Sequence, residues 1–201
     1  MKINLVLYVC DTETTSLSHV AGGEIIEISL YRLSDNQQKT WCVKPCNYDA
    51  IQPEALRING HKLDDIKHLT KFGIETYIDP AQAVVQIENF MAEDLVSSGE
   101  RVLCGQNITF DLGFMEKLWS DNNAMDTFPF GKRPLLLDTK QIALFLDVAF
   151  GEKSEFYNLS SLITKYGVKK EKAHRADSDT RCTKDVLLKQ FNKVVELIPN
   201  H

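Results

Sequence analysis

No apolar run in the 201 residues approaches the roughly 18 that a membrane span requires, so the sequence predicts no membrane association. No Gly-, Ser- or Pro-rich linker divides the chain, and internal repeats and low-complexity tracts are absent. One domain over residues 1–201 is the expectation. Cysteine is sparse and odd in number: Cys10, Cys42, Cys46, Cys104 and Cys182. Cys42-x3-Cys46 lacks a second ligand pair at zinc-finger spacing, and a chain this long does not depend on bridges. Reduced thiols and a cytoplasmic location are expected. Met1 to Asp11 has one Lys, no small-residue cleavage site and an acid at its end, which reads as a strand and not a signal peptide. Positive charge is short as well: 23 Lys and Arg against 28 Asp and Glu, a net −5. Generic nucleic-acid binders are basic, so the balance at first argues against that class. It loses its force if four of the acids are cation ligands, because the remainder is then close to neutral.

What the chain does have is material for a core: 43% hydrophobic and 25% charged residues, the proportions of a globular protein. Residues 3–11 are short, apolar and β-branched, the pattern of a buried strand. Residues 24–33 and 40–44 add two more strands, the last stopped by Pro45, and three in succession suggest an antiparallel meander. Asp79-Pro80 opens a helix with apolar residues at Val84, Val85, Ile87, Phe90, Met91 and Leu95. A strand over 101–105, a helix over 111–119, a strand over 135–137 and helices over 139–150, 159–166 and 176–197 complete the reading. Val186, Leu187, Phe191, Val194, Val195 and Ile198 form the apolar face of the last helix. The expected class is α/β, with a central mixed five-stranded sheet flanked by helices.

Three acidic clusters stand out. Asp11 and Glu13 are two apart at the end of the first strand, so both point to one face, roughly 7 Å apart. Adjacent carboxylates there repel each other and are costly to desolvate, and a hard divalent cation relieves both penalties. A solvated turn is the plain alternative. Asp111 follows Asn107 and Phe110 at a strand-to-helix junction, where helix capping would also account for it. His174 and Asp179 are five apart, about 140° around a continuous helix, so they share a site only if His174 precedes the helix.

In order and context, Asp11-Thr12-Glu13-Thr14-Thr15, Asn107 through Asp111, and His174 through Asp179 resemble the three motifs of the DEDDh (DnaQ-like) 3′–5′ exonucleases. The resemblance covers nearly the whole chain and is strongest to the proofreading epsilon subunit of bacterial replicases. Ile25-Ile26-Glu27-Ile28, Lys44-Pro45, Ile58-Asn59-Gly60, Leu137-Asp138-Thr139 and Leu159-Ser160-Ser161-Leu162 also resemble family segments. Departures are Ser16 for a frequent Gly, Gln106 for a His before the Asn, and Asn59 for a His in the Gly60 turn. The stretch after Asp179 has no counterpart of the tail by which the epsilon subunit grips its polymerase, so no polymerase partner is carried over.

The resemblance implies a ribonuclease-H-like fold and a two-metal phosphodiester hydrolase. Asp11, Glu13, Asp111 and Asp179 would hold two Mg²⁺ or Mn²⁺ ions, with Asp11 shared and Asp111 serving the second ion. His174 would take the proton of the attacking water, since imidazole titrates near neutral pH. Nucleoside 5′-monophosphates would leave one at a time from a 3′ end entering as a single strand. Backbone amides of Thr14 and Thr15 are candidates to hold the terminal nucleotide, with Asn107, and Phe110 and Phe114 to stack on or wall its base. Lys165, Lys169, Lys170, Lys172 and Arg175 against Glu171 form a candidate phosphate-steering patch. Single-stranded or frayed DNA, in proofreading, repair or stand-alone degradation, is the favoured substrate. RNA ends, as for RNase T relatives, are the alternative. A non-catalytic polymerase- or nucleic-acid-binding domain is the third reading, but a pure binder has no use for four clustered acids and a His.

Overall fold

The computed structural model describes residues 5–71, 74–75, 77–169 and 174–197. The chain begins with three antiparallel strands, β1 (Val6–Thr14), β2 (Ile25–Arg32) and β3 (Gln37–Val43). Two short helices follow, α1 (Pro53–Asn59) and α2 (Leu63–Lys67). A small hairpin of β4 (Thr70–Lys71) and β5 (Ile74–Glu75) leads to β6 (Tyr77–Ile78) and helix α3 (Pro80–Ala92). Then come β7 (Arg101–Gly105), α4 (Thr109–Asp121), β8 (Leu135–Asp138), α5 (Thr139–Phe150), α6 (Leu159–Lys165) and α7 (Ala176–Glu196).

The central sheet runs β6-β3-β2-β1-β7-β8. The β1–β7, β7–β8 and β3–β6 pairs are parallel, so the sheet is mixed as expected. It has six strands where five were expected. The sixth is the two-residue β6, too short to carry any periodicity, added at the edge of the meander. β1 starts and ends later than its apolar run suggests: Thr12 and Thr14 are good strand formers and carry it through both acids to Thr14. The upstream part of the run, residues 3–4, lies outside the described residues, as does Ile198 at the end of the last helix.

Alternation along β1 sorts the chain into two cores. Tyr8 and Cys10 face a cluster with Val84, Ile87, Phe90 and Met91 of α3 and Phe114, Met115, Leu118 and Trp119 of α4. Val9 faces the other way, with Tyr31, Val102, Cys104 and Leu187 of α7. The sheet is thus covered on both faces, which is why β1, β2 and β7 are buried almost throughout. Cys10, Cys104 and Cys182 are buried free thiols, and burial pushes the Cys104 thiol up to about 12. No helix among the described residues is long and apolar enough to cross a membrane.

Candidate active site

The same alternation decides which helix meets which acid. Asp11 and Glu13 share the face of Val9, the face covered by α7. The first turn of α7 brings Asp179 to them, and each of the three offers a carboxylate oxygen within 4.8 Å of the others. α7 is held in this position by β3, whose Gln38 donates from Nε2 to the Asp177 carbonyl at 2.8 Å. Ser29, directly opposite Asp11, accepts from the same Gln38 amide at 2.9 Å and so ties sheet to helix.

Asp111 arrives from the other face, in the first turn of α4. It is 4% exposed, and its Oδ1 accepts from the Thr12 amide at 2.9 Å and the Thr12 hydroxyl at 2.7 Å. It is therefore bound to the strand between the two β1 acids and stands outside the trio of converging oxygens. The close approach depends on Gly105 at the end of β7: a Cβ there would lie 2.5 Å from Ile108 Cδ1 and 3.1 Å from the Cys10 carbonyl. His174 sits in the loop before α7, exposed, with φ 59, and its amide donates to Asp179 Oδ2 at 2.9 Å. Asp179 in the first turn of α7 thus anchors the backbone of the loop that carries the imidazole, a link that no shared helical face provides.

The electrostatics are those of a site short of positive charge. Burial, followed by the charges of Asp111, Glu13 and Asp179, holds the Asp11 carboxyl well above the usual range. Burial pushes Asp111 up to about 7, against the downward pull of its two Thr12 hydrogen bonds. Burial also raises Asp179, partly offset by the His174 amide. Three converging carboxylates that cannot all ionise comfortably form an all-oxygen donor set that fits a hard divalent cation.

Other expected contacts are placed differently. The Thr15 amide already donates to the Glu24 carbonyl at 2.9 Å, and its carbonyl accepts from Gln52, because Thr15 closes the β1–β2 connection. It is not free to hold a nucleotide. Thr14 is buried and its hydroxyl bonds the Ser16 carbonyl. Phe114 is 1% exposed in the core, its ring 4.9 Å from Phe110, so only the half-buried Phe110 has a face to offer. Asn107 is exposed, left-handed at φ 58, with its amide on Asp138 Oδ1 at 3.1 Å. Gln106 points away from the acids: it accepts from Thr139 and donates to the Tyr157 carbonyl, both at 2.7 Å. Beside Asn107 an open groove of about 510 Å³ passes Lys140, Phe156 and Asn158. In the basic stretch, Lys165 is an ion-pair partner of the buried Asp147 and Arg175 pairs with Asp177, while Lys170, Glu171 and Lys172 lie outside the described residues. Sequence reasoning missed Thr12 and Asp138 as supports of the second motif. Only Asp138 left a signal, as a helix N-cap accepting from the Lys140 amide.

Comparison with known proteins places the chain in a family. The RNase T exonuclease family profile matches residues 8–187. The PolC-type DNA polymerase III of Staphylococcus aureus (strain bovine RF122 / ET3-1) is 26% identical over 197 residues, covering 96% of this chain. The chain spans 12% of that relative's length. Among solved structures, the zinc-bound complex of E. coli ExoI with single-stranded DNA superposes with a TM-score of 0.71 at 17% identity, covering 96% of this chain and 41% of that one. Cell-death related nuclease 4 gives 0.71 at 16% identity, covering 93% and 64%. These likenesses place the fold beside nucleases.

Proposed function

Because the chain belongs to the RNase T exonuclease family, we propose that residues 1–201 form one 3′–5′ exonuclease domain that removes nucleoside 5′-monophosphates from single-stranded or frayed DNA 3′ ends. The observation that carries the reading is the convergence of Asp11, Glu13 and Asp179 from the two ends of the chain, with Asp111 held at their side by Thr12. DNA is favoured over RNA because a relative is a DNA polymerase and a structural neighbour is described with single-stranded DNA.

Asp11, Glu13, Asp111 and Asp179 would hold two Mg²⁺ or Mn²⁺ ions, which supply the positive charge that acidifies water and stabilises a leaving 3′ oxygen. The residues themselves do the rest. An imidazole nitrogen of His174 accepts the proton from the attacking water. Its backbone amide, bonded to Asp179, keeps that base beside the ligand set. Asn107 and the open face of Phe110 meet the terminal nucleotide. The strand behind it runs along the groove past Lys140 and the exposed Phe156, a cation and an aromatic platform suited to single-stranded nucleic acid.

The deciding experiment is a time course on 5′-labelled single-stranded DNA, duplex, mismatched-end duplex and matched RNA, with Mg²⁺, Mn²⁺ or EDTA. Stepwise shortening of the DNA from its 3′ end, stopped by EDTA and by a 3′ block, is expected. Digestion of the blocked strand from its 5′ end would overturn the polarity, and preference for RNA would overturn the substrate.

A further inference from the structure

The ladder between β1 and β2 breaks at the proposed metal ligands. Glu13 is paired with Glu27, but Thr14 is paired with Ile25, so Ile26 is the extra residue of a bulge. A bulge interrupts regular pairing and bends the strand. Here it lies immediately after Glu13, where small displacements of a ligand matter most. The last regular pair before the bulge sets two glutamates directly opposite each other. Side chains of such partners stand on one face, about 5 Å apart at Cβ, and like charges there are destabilising. Glu27 is 1% exposed, so water does not relieve the repulsion.

A second element compensates for both features. At the end of α1, Gly60 turns the chain with φ 72, a left-handed conformation that suits glycine. Either side of it, Asn59 donates from Nδ2 to the Thr14 carbonyl at 3.2 Å, and His61 brings Nε2 to 3.1 Å from Glu27 Oε2. His61 Nδ1 bonds the Tyr77 hydroxyl, and the His61 and Glu27 side chains are both 1% exposed. Glu27 on one ring nitrogen and the Tyr77 hydroxyl on the other give both nitrogens of the imidazole a partner. A buried polar chain of this kind is costly to assemble unless all its members are paired. It ends on the strand residue facing a proposed metal ligand.

We propose that Glu27, His61 and Tyr77 are positioning residues that set the Glu13 carboxylate and add a fixed negative charge behind it. The assignment rests on the metal-dependent reading of the site. Outer partners of metal ligands typically govern affinity or activity by about 10- to 100-fold. Glu27→Gln keeps the acceptor for His61 and the side-chain volume but removes the charge. Tyr77→Phe removes only the hydroxyl that fixes the ring.

The test is a Mn²⁺ titration of wild type, E27Q and Y77F by calorimetry, alongside kcat and KM on a single-stranded oligonucleotide and thermal unfolding in EDTA. Expected are a 10- to 100-fold weaker Mn²⁺ affinity for E27Q, a smaller loss in the same direction for Y77F, and an unchanged KM. The E27Q unfolding midpoint in EDTA should be equal to or above wild type, which a purely structural role would not give. E27Q binding Mn²⁺ as tightly as wild type overturns the assignment, as does Y77F doing so should E27Q not fold. Wild type that binds Mn²⁺ but leaves all nucleic acid intact sinks the exonuclease reading instead, and weakened Mn²⁺ binding by E27Q then still supports the positioning role.

Discussion

Asn107 and His174, which flank the proposed site, both hold left-handed backbones, at φ 58 and φ 59. Such conformations cost non-glycine residues about 1 kcal/mol or more and persist where surrounding contacts enforce them. Here the enforcing contacts are Asp138 on the Asn107 amide and Asp179 on the His174 amide. His174→Ala keeps that amide and removes only the imidazole. Turnover is expected to fall by about 10²-fold while Mn²⁺ still binds; an unchanged single-turnover rate would assign the proton to another group. Asp11→Ala and Asp179→Ala are expected to reduce hydrolysis to background with a native circular dichroism spectrum, and normal activity in either would remove the ligand assignment. Asp111→Asn retains the oxygen that accepts from Thr12 and removes the charge. In EDTA it should stabilise the protein by roughly 2–4 kcal/mol at pH 8, because its carboxyl titrates near 7 folded against about 3.9 unfolded. Urea unfolding measures this, and a destabilised variant would contradict the account.

At the scale of elements, β7 and α5 appear in the structure with the bounds the sequence suggested, because each is an apolar run or stripe closed by clear punctuation. α5 has Asp138 as its N-cap and Gly151 in the left-handed conformation at its end. α1, α2 and the strands between Thr70 and Ile78 had no such signature, being too short to show a period. The three motifs were legible because their acids recur at element ends. The Glu27–His61 contact was not, since it joins residues 34 apart that are brought together by the turn after α1, a helix too short to show a period. The Thr15 and Phe114 expectations failed for a related reason: a motif position does not reveal that an amide is already bonded or a ring already enclosed. Two element-level outcomes follow from packing. Gly105→Ala forces a Cβ against Ile108 and the Cys10 carbonyl and should cost about 1–3 kcal/mol, with activity lost as Asp111 shifts. Asp147 of α5 clamps α6 by accepting from Ser154 N and the Tyr157 hydroxyl, both at 2.9 Å, and from Lys165. Asp147→Ala should lower stability by about 2–4 kcal/mol in urea titration, leaving the Ser154 amide and the Tyr157 hydroxyl unpaired and Lys165 with only its Glu152 and Ser154 contacts.

For the molecule as a whole, the site and the scaffold respond to pH in opposite senses. Asp11, Asp111 and Asp179 have raised folded values, so their contribution is full below the ordinary carboxylate range and is lost as pH rises toward 7 and beyond. Asp94, held low by Arg101 and Tyr8, and Asp147, held low by Lys165, contribute above the ordinary range and lose it in stronger acid. Metal-free protein should therefore unfold at a higher temperature at pH 5.5 than at pH 8 and weaken again below about pH 4. Saturating Mn²⁺ should erase the fall between pH 5.5 and 8, adding about 2.7 kcal/mol at one hundred times its Kd. A flat EDTA profile would show that the acids are not strained. Asp11 and Asp179 meet only after α7 has docked against β1 and β2. A polypeptide clipped ahead of α7 accordingly keeps Asp11 and Glu13 side by side but loses the third carboxylate that closes the trio.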